Sequence, residues 1–504
     1  MKISVVIPVL AGALIAAAPG NAQAPSPPTA PSRSEQRPQP PGEGLKPLPP
    51  DSTTRQTLTL PDRTLTFNAT AGTIHLFDAE SGAPRADIAY IAFRKDGSDP
   101  KTRPVAFIFN GGPGYASGWL NLGGLGPWRL PMTAEAARPS ASPAVVDNAD
   151  TWLDFADLVF IDPPGTGYSR VIGGEDVRKS FWSVNGDAGA LATAIRRWTE
   201  ANDRSLSPKF IVGESYGGFR APKIANLLQK EQGVGVNGLV LISPVLDFGR
   251  FNASNSILGL AARLPSMAAT YRERKGSITR QSMKDVEDYA SGAFIMDLLK
   301  GPNDPDAVSR LSAKVTELTG LDAQSVRQLG GRVPTNIFAR EANRDTNTVS
   351  SRYDANVTGL DPTPFAPRDN TEDQLRVGLH APITQAMVDI YHHRLNWNVE
   401  NGRYLFYNEQ AGQAWDFGRR PAESLSDLRE VLALDPTLRV LVAHGLTDLV
   451  TPYFETKLTL DQVPLVGPPG RLKLQVYPGG HMVYARDGSR KMLREDARAL
   501  VEGK

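Results

Sequence analysis

Phe210-Ile211-Val212-Gly213-Glu214-Ser215-Tyr216-Gly217-Gly218 carries a short apolar run into a G-x-S-x-G turn, and a helical pattern over 219–229 follows at once. A strand before and a helix after are the context in which such a turn presents a serine as nucleophile. The sharp bend lifts the Ser215 hydroxyl clear of the strand. Gly213 and Gly217 carry no Cβ, so the chain can close tightly around it. The positive end of the helix then faces any negative charge that develops there.

Outward from this turn, short and nearly continuous hydrophobic runs recur at 105–109, 158–161, 210–212, 239–242, 440–442 and 472–477. Runs of this kind suit strands buried on both faces, as in a mostly parallel sheet. Upstream, 57–60 and 64–67 alternate around a Pro61-Asp62 turn, and 88–93 is a further strand-like run. Helical patterns over 187–199, 219–229 and 490–501 lie between or after the strands, which predicts an α/β architecture. The segment 250–415 breaks the rhythm: it is polar and predicts helices at 283–299, 305–318 and 381–395, with a loop over 340–367.

The chain has 504 residues, 40% of them hydrophobic, enough for one large core with decoration. Its 55 basic and 54 acidic residues leave a net charge of +1, which gives no reason to expect nucleic acid or an anionic membrane as a partner. It has no cysteine, so disulfides, a thiol nucleophile and cysteine metal sites are excluded. Lys2, an uncharged apolar stretch over 3–18 and Ala22-Gln23-Ala24 predict a cleaved export signal over 1–24, hence a periplasmic or secreted protein. The Pro-, Ser- and Gln-rich stretch that follows predicts an extended linker over 25–54. The remainder divides into a first core segment over 55–249, a helical cap insertion over 250–415 and a second core segment over 416–504.

A serine in this setting needs a carboxylate and then a histidine later in the chain, each after a strand. That order points to the α/β-hydrolase fold. His481 leaves the strand that ends at Tyr477, in Pro478-Gly479-Gly480-His481-Met482, and is the candidate base; His444, at a strand end, reads as structural. Asp448, just past the 440–442 strand, is the candidate acid, with Asp247 as the alternative; Asp435 precedes its strand and belongs on the opposite edge. His392 and His393 are adjacent and point to different helix faces, so no metal site is predicted, and no cofactor is required.

Four blocks then resemble the serine carboxypeptidase family: Asn110-Gly111-Gly112-Pro113-Gly114, Asp162-Pro163-Pro164-Gly165-Thr166-Gly167-Tyr168-Ser169, Gly213-Glu214-Ser215-Tyr216-Gly217-Gly218 and Gly480-His481-Met482-Val483. The resemblance implies an oxyanion hole at the backbone N–H groups of Gly112 and Tyr216. It also implies that Asn110, Gly111 and Glu214 bind the terminal carboxylate of a peptide. A carboxylate can sit beside Glu214 only if one of the two carries a proton, which implies a raised Glu214 pKa. The chain departs from the family where Gly124-Leu125-Gly126-Pro127 lacks a glutamate that many members carry, and without that partner Glu214 is expected to ionise at lower pH. The implied activity is hydrolysis of C-terminal peptide bonds in peptides with a free C-terminus. An esterase or acyltransferase and a proline iminopeptidase-like aminopeptidase share the triad, and an inactive binding protein on the same fold is the reading from another class.

Overall fold

The structure is a computed structural model, described over residues 46–133, 137–251, 256–366, 372–464 and 467–504. The expected export signal and most of the expected linker lie outside these residues. The first strand begins at Ser52, inside the stretch read as linker, because 52–59 alternates inward and outward residues against the next strand.

The sheet comprises β1 (Ser52–Thr59), β2 (Thr64–Phe77), β3 (Pro84–Lys95), β4 (Val105–Phe109), β5 (Asp157–Ile161), β6 (Arg170–Val171), β7 (Lys209–Glu214), β8 (Gly238–Ile242), β9 (Arg439–Gly445) and β10 (Leu472–Tyr477). Their order is β1-β2-β3-β5-β4-β7-β8-β9-β10, with β6 paired to β3 off this path. Along this order every pairing from β5 through β4, β7, β8 and β9 to β10 is parallel, and β1, β2 and β3 extend the sheet antiparallel, as does β6 on β3. The parallel strands are short and apolar because helices cover both of their faces.

Alternation within β4 shows the two layers. Val105, Phe107 and Phe109 point into a core shared with α1 (Val184–Ala201), α2 (Tyr216–Lys230) and α6 (Leu425–Leu434), through Leu191, Ile195, Ile224 and Leu428. Ala106 and Ile108 point into the opposite core, which includes Leu493 and Ala497 of α7 (Asp487–Val501). This is an α/β-hydrolase fold.

The segment between β8 and β9 divides in two. α3 (Ile257–Glu273) and α4 (Pro305–Thr319) build a separate apolar cluster that also takes in Leu446, Leu449, Tyr453 and Phe454. By contrast, α5 (Gln374–Asp389) and the chain after it send Leu375, Leu379, Ile383, Tyr391, Trp397 and Phe406 into one of the sheet's own cores. α4 is bounded as its sequence dictates: Asp304 caps the Ala307 N–H, Pro305 opens the helix and Gly320 ends it at φ 68°. The helix expected over 283–299 is broken at Gly292 into Lys284–Ser291 and Ala293–Leu299. The loop expected over 340–367 contains two short antiparallel strands, Thr348–Ser350 and Thr358–Leu360. Among the described residues no helix is long and apolar enough to cross a membrane.

Candidate active site

Four parallel strands, two on either side of β8, deliver the candidate residues at their carboxyl ends. β4 ends at Phe109 and leads into Asn110-Gly111-Gly112, β7 ends at Glu214 before Ser215, β9 ends at Gly445 before Asp448, and β10 ends at Tyr477 before His481. Ligand sites of open parallel sheets form at this edge.

The turn at Ser215 is tight in the way its glycines imply. Ser215 has φ 58° and ψ −121°, outside the regions a side chain normally favours. Its N–H is held by the Ile242 carbonyl at 2.8 Å. A Cβ at Gly217 would stand 2.6 Å from the Phe109 carbonyl oxygen, and one at Gly213 would collide with the Gly217 carbonyl. Tyr216 is the first residue of α2, so its N–H has no acceptor within the helix. A Cβ at Gly111 would lie 2.5 Å from that nitrogen, which shows how closely the 110–112 backbone approaches it. Gly112 adopts φ 107°, a conformation open mainly to glycine.

His481 and Asp448 are joined directly: His481 Nδ1 lies 2.8 Å from Asp448 Oδ2. They are 2% and 0% exposed. Asp448 is held from its other side, since Oδ1 accepts the N–H groups of Val450 at 2.8 Å and Thr451 at 2.9 Å. The Thr451 hydroxyl lies 2.7 Å from Asp448 Oδ2 and 3.0 Å from His481 Nδ1. Burial works to lower the His481 pKa, but the facing Asp448 carboxylate outweighs it and leaves the group raised. Among the described residues Ser215 Oγ makes no hydrogen bond; such contacts in free hydrolases commonly tighten only when substrate binds.

The alternative carboxylates make other contacts. Asp247 Oδ1 accepts the Gly249 N–H at 2.9 Å, and Asp435 caps a turn through the Thr437 N–H at 2.7 Å, ahead of β9. His444 is fully buried in β9, where burial pushes its pKa down to about 4 and keeps it neutral.

A second buried group adjoins the serine. Asn110 donates through Nδ2 to Glu214 Oε2, and the Tyr484 hydroxyl donates to Glu214 Oε1 at 2.7 Å. Asn110 Oδ1 accepts the Leu120 N–H at 3.0 Å, which fixes the orientation of its amide. Burial pushes Glu214 up to about 7, against the opposing pull of His481 and of the hydrogen bonds from Tyr484 and Asn110. Sequence reasoning missed Tyr484 and Thr451. For Thr451 the Asp448-x-x-Thr451 spacing was a usable signal, because aspartates cap turns of this length through backbone N–H groups.

Two structural ties hold these loops. Arg220 of α2 forms an ion pair with Asp187 at 2.8 Å, and its Nη1 donates to the Asn110 carbonyl at 2.9 Å. Both side chains of the pair are essentially fully buried, and Asp187 is drawn up to about 6 by burial against the pull of Arg220. Arg220→Ala is expected to cost about 3–5 kcal/mol of stability, because Asp187 must then stay buried unpaired or take up a proton. A urea titration reads this from the midpoint, and a loss below about 1 kcal/mol would mean that the pair contributes little.

The second tie is the stretch 351–357 of the insertion, which wedges between the Asp448 and His481 turns. The Tyr353 carbonyl accepts the His481 N–H at 2.5 Å, the Arg352 carbonyl accepts the Leu449 N–H at 2.9 Å, and the Ala355 N–H donates to the Thr447 carbonyl at 3.2 Å. Asp354 takes both a bidentate contact from Arg486 Nη2, at 2.8 and 2.9 Å, and a hydrogen bond from the Thr447 hydroxyl at 2.9 Å. Arg486 reaches on to Glu273 of α3 at 2.7 Å. The Tyr353 ring meets the His481 ring edge-on at 5.3 Å.

Comparison with known proteins agrees with this architecture. Kex1(Δ)p, a prohormone-processing carboxypeptidase from Saccharomyces cerevisiae, superposes with a TM-score of 0.55 at 15% identity, covering 86% of this chain and 90% of that one. Serine carboxypeptidase-like 16 of Arabidopsis thaliana is 29% identical over 175 residues, 33% of this chain and 39% of that protein. The pheromone-processing carboxypeptidase kex1 of Neurospora crassa is 32% identical over 143 residues, 27% of this chain and 19% of that protein. The chain thus spans well under two thirds of the length of these curated relatives. Residues 80–475 match the family described as serine carboxypeptidase, which is more than half of the chain, and the chain therefore belongs to the serine carboxypeptidase family.

Proposed function

We propose that this chain is a serine carboxypeptidase that releases C-terminal residues from peptides, with Ser215, Asp448 and His481 as its catalytic triad. The observation that carries this reading is the buried Asn110–Glu214 pair beside the serine turn, a polar group with no use in a simple esterase. The family membership and the described carboxypeptidase relatives support the same conclusion. The export-like pattern over 1–24 supports action outside the cytoplasm.

In this mechanism His481 Nε2 removes the Ser215 hydroxyl proton as Oγ attacks the last peptide carbonyl. Asp448 holds His481 by Nδ1 and stabilises the imidazolium that forms. The N–H groups of Gly112 and Tyr216 receive the oxyanion of the tetrahedral intermediate. Its collapse breaks the C–N bond, and His481 returns the proton to the departing amine. Water, deprotonated by the same histidine, then cleaves the acyl-enzyme and restores Ser215. Asn110, the Gly111 N–H and Glu214 bind the substrate's terminal carboxylate.

The pH dependence follows from the two raised groups. With its pKa at about 7, Glu214 is neutral below that value and can share a proton with a carboxylate; above it, two negative charges face each other. The preference for an N-blocked dipeptide acid over its C-terminal amide is therefore expected to be strongest below pH 7 and to fall about tenfold per unit above it. Acid and amide cleaved equally from pH 4 to 9 would sink the carboxypeptidase reading and leave an esterase or aminopeptidase. Activity on the acid side falls as His481 takes up a proton and ceases to be a base.

A further inference from the structure

Tyr484 lies three residues beyond His481, and the catalytic steps above make no use of it. Its side chain is fully buried, and its hydroxyl is aimed at Glu214 Oε1 at 2.7 Å, so it claims the oxygen that Asn110 leaves open. The seat is built for it. A Cβ at Gly123 would collide with the Tyr484 ring, and a Cβ at Gly124 would come within 2.6 Å of Arg490 Cδ. Arg490 is itself held by Asp150 at 2.9 Å, and its Nη1 approaches the Tyr484 carbonyl at 3.3 Å. The two consecutive glycines therefore make room for one aromatic ring and for the arginine that braces its backbone. A side chain at Gly123 would push the ring and its hydroxyl away from Glu214, and one at Gly124 would displace Arg490.

We propose that Tyr484 is the positioning residue that orients Glu214 toward a substrate carboxylate and fixes the alkaline limit at which that carboxylate is still accepted. This rests on the carboxypeptidase reading. The physical cause is direct. A phenol at neutral pH keeps its proton, donates a hydrogen bond to a carboxylate oxygen and favours the ionised carboxylate over the neutral acid. Burial favours the neutral acid instead. The groups facing Glu214 are Asn110 from the loop after β4 and Tyr484 from the turn after β10, while His481 and Asp448 act on it through their charges. Asn110 is also needed for the substrate, so Tyr484 is the donor that can adjust the balance without contacting the peptide. Burial alone would keep Glu214 neutral to higher pH. The tyrosine brings the limit down and, in return, holds Glu214 in one rotamer.

Tyr484→Phe removes the hydroxyl and keeps the ring. The alkaline limb of kcat/KM for an N-blocked dipeptide acid is expected to move up by about one pH unit, the loss of one hydrogen bond to a charged acceptor. The profile of the matching ester above neutrality should not move, because the ester has no carboxylate to exclude. In Glu214→Gln, which has no proton to lose, the limb itself should vanish, and adding Tyr484→Phe should then shift nothing. If the wild type prefers the free acid but Tyr484→Phe leaves the limb in place, the role of Tyr484 is overturned and the carboxypeptidase reading stands. If the wild type shows no such preference, the carboxypeptidase reading fails first and this role fails with it. Should Tyr484→Phe not fold, Gly123→Ala is the second test. Its methyl group displaces the ring, and an unmoved limb there overturns the proposal equally.

Discussion

Ser215→Ala is expected to lower kcat at least about 10⁴-fold toward peptide and ester alike, with folding unchanged. The size follows from what the variant retains. The N–H groups near Gly112 and Tyr216 and the Asn110–Glu214 pair survive, so substrate still binds and an oxyanion is still stabilised, but no acyl-enzyme can form. The effect should be common to all substrates because every one passes through Oγ. The backbone at 215 is held by the Ile242 carbonyl and by the close approach of Gly217 to Phe109, not by the hydroxyl. A single thermal unfolding curve beside a kcat measurement checks both halves. Activity within tenfold of the wild type would remove Ser215 from the nucleophile's role.

Asp448→Asn is expected to cost nearly as much, about 10⁴-fold in kcat. Here the reason lies in the surrounding donors. Oδ1 of Asp448 already accepts two backbone N–H groups, from Val450 and Thr451. An asparagine must keep its oxygen there, which turns its NH₂ toward His481 Nδ1. Two donors cannot face each other, so the imidazole moves its proton to Nε2 and loses the lone pair that must deprotonate the serine. Thr451, 3.0 Å from Nδ1, can rotate its hydroxyl but cannot supply a negative charge. Single-turnover rates across pH report the loss. More than a hundredth of the wild-type rate would mean that another carboxylate serves the histidine.

The parallel strands and the serine turn were legible because their signals are local. The runs in β4, β5, β7, β8 and β9 are apolar over three to five residues and are bounded by polar or glycine-rich turns. β2 was read only at its start, over 64–67, because Ala69-Thr70-Ala71-Gly72 has little side-chain pattern; those residues are strand because β1 and β3 pair with them on either side. The division of the insertion could not be read either. Leu379, Ile383 and Trp397 look like any helical core residues, and only packing shows that they complete the sheet's core and not that of α3 and α4. Within the candidate site, Asn110, Glu214 and His481 were visible through their motifs and Asp448 through its place just past a strand, and they come together as hydrogen-bonded pairs. Tyr484 was not visible. Its importance comes from glycines about 360 positions earlier that leave room for its ring, a relation no single stretch of sequence displays.

The wedge at 351–357 bears on protein engineering. Its main chain holds the turns that carry Asp448 and His481, so under the proposed function the insertion is a structural support of the acid and the base. Cutting the insertion away to admit bulkier substrates would strip the Asp448 and His481 turns of three main-chain partners and leave Arg486 without Asp354 and Glu273. Chimaeras that exchange caps between relatives should therefore keep this stretch with the recipient scaffold and place their junctions on either side of it.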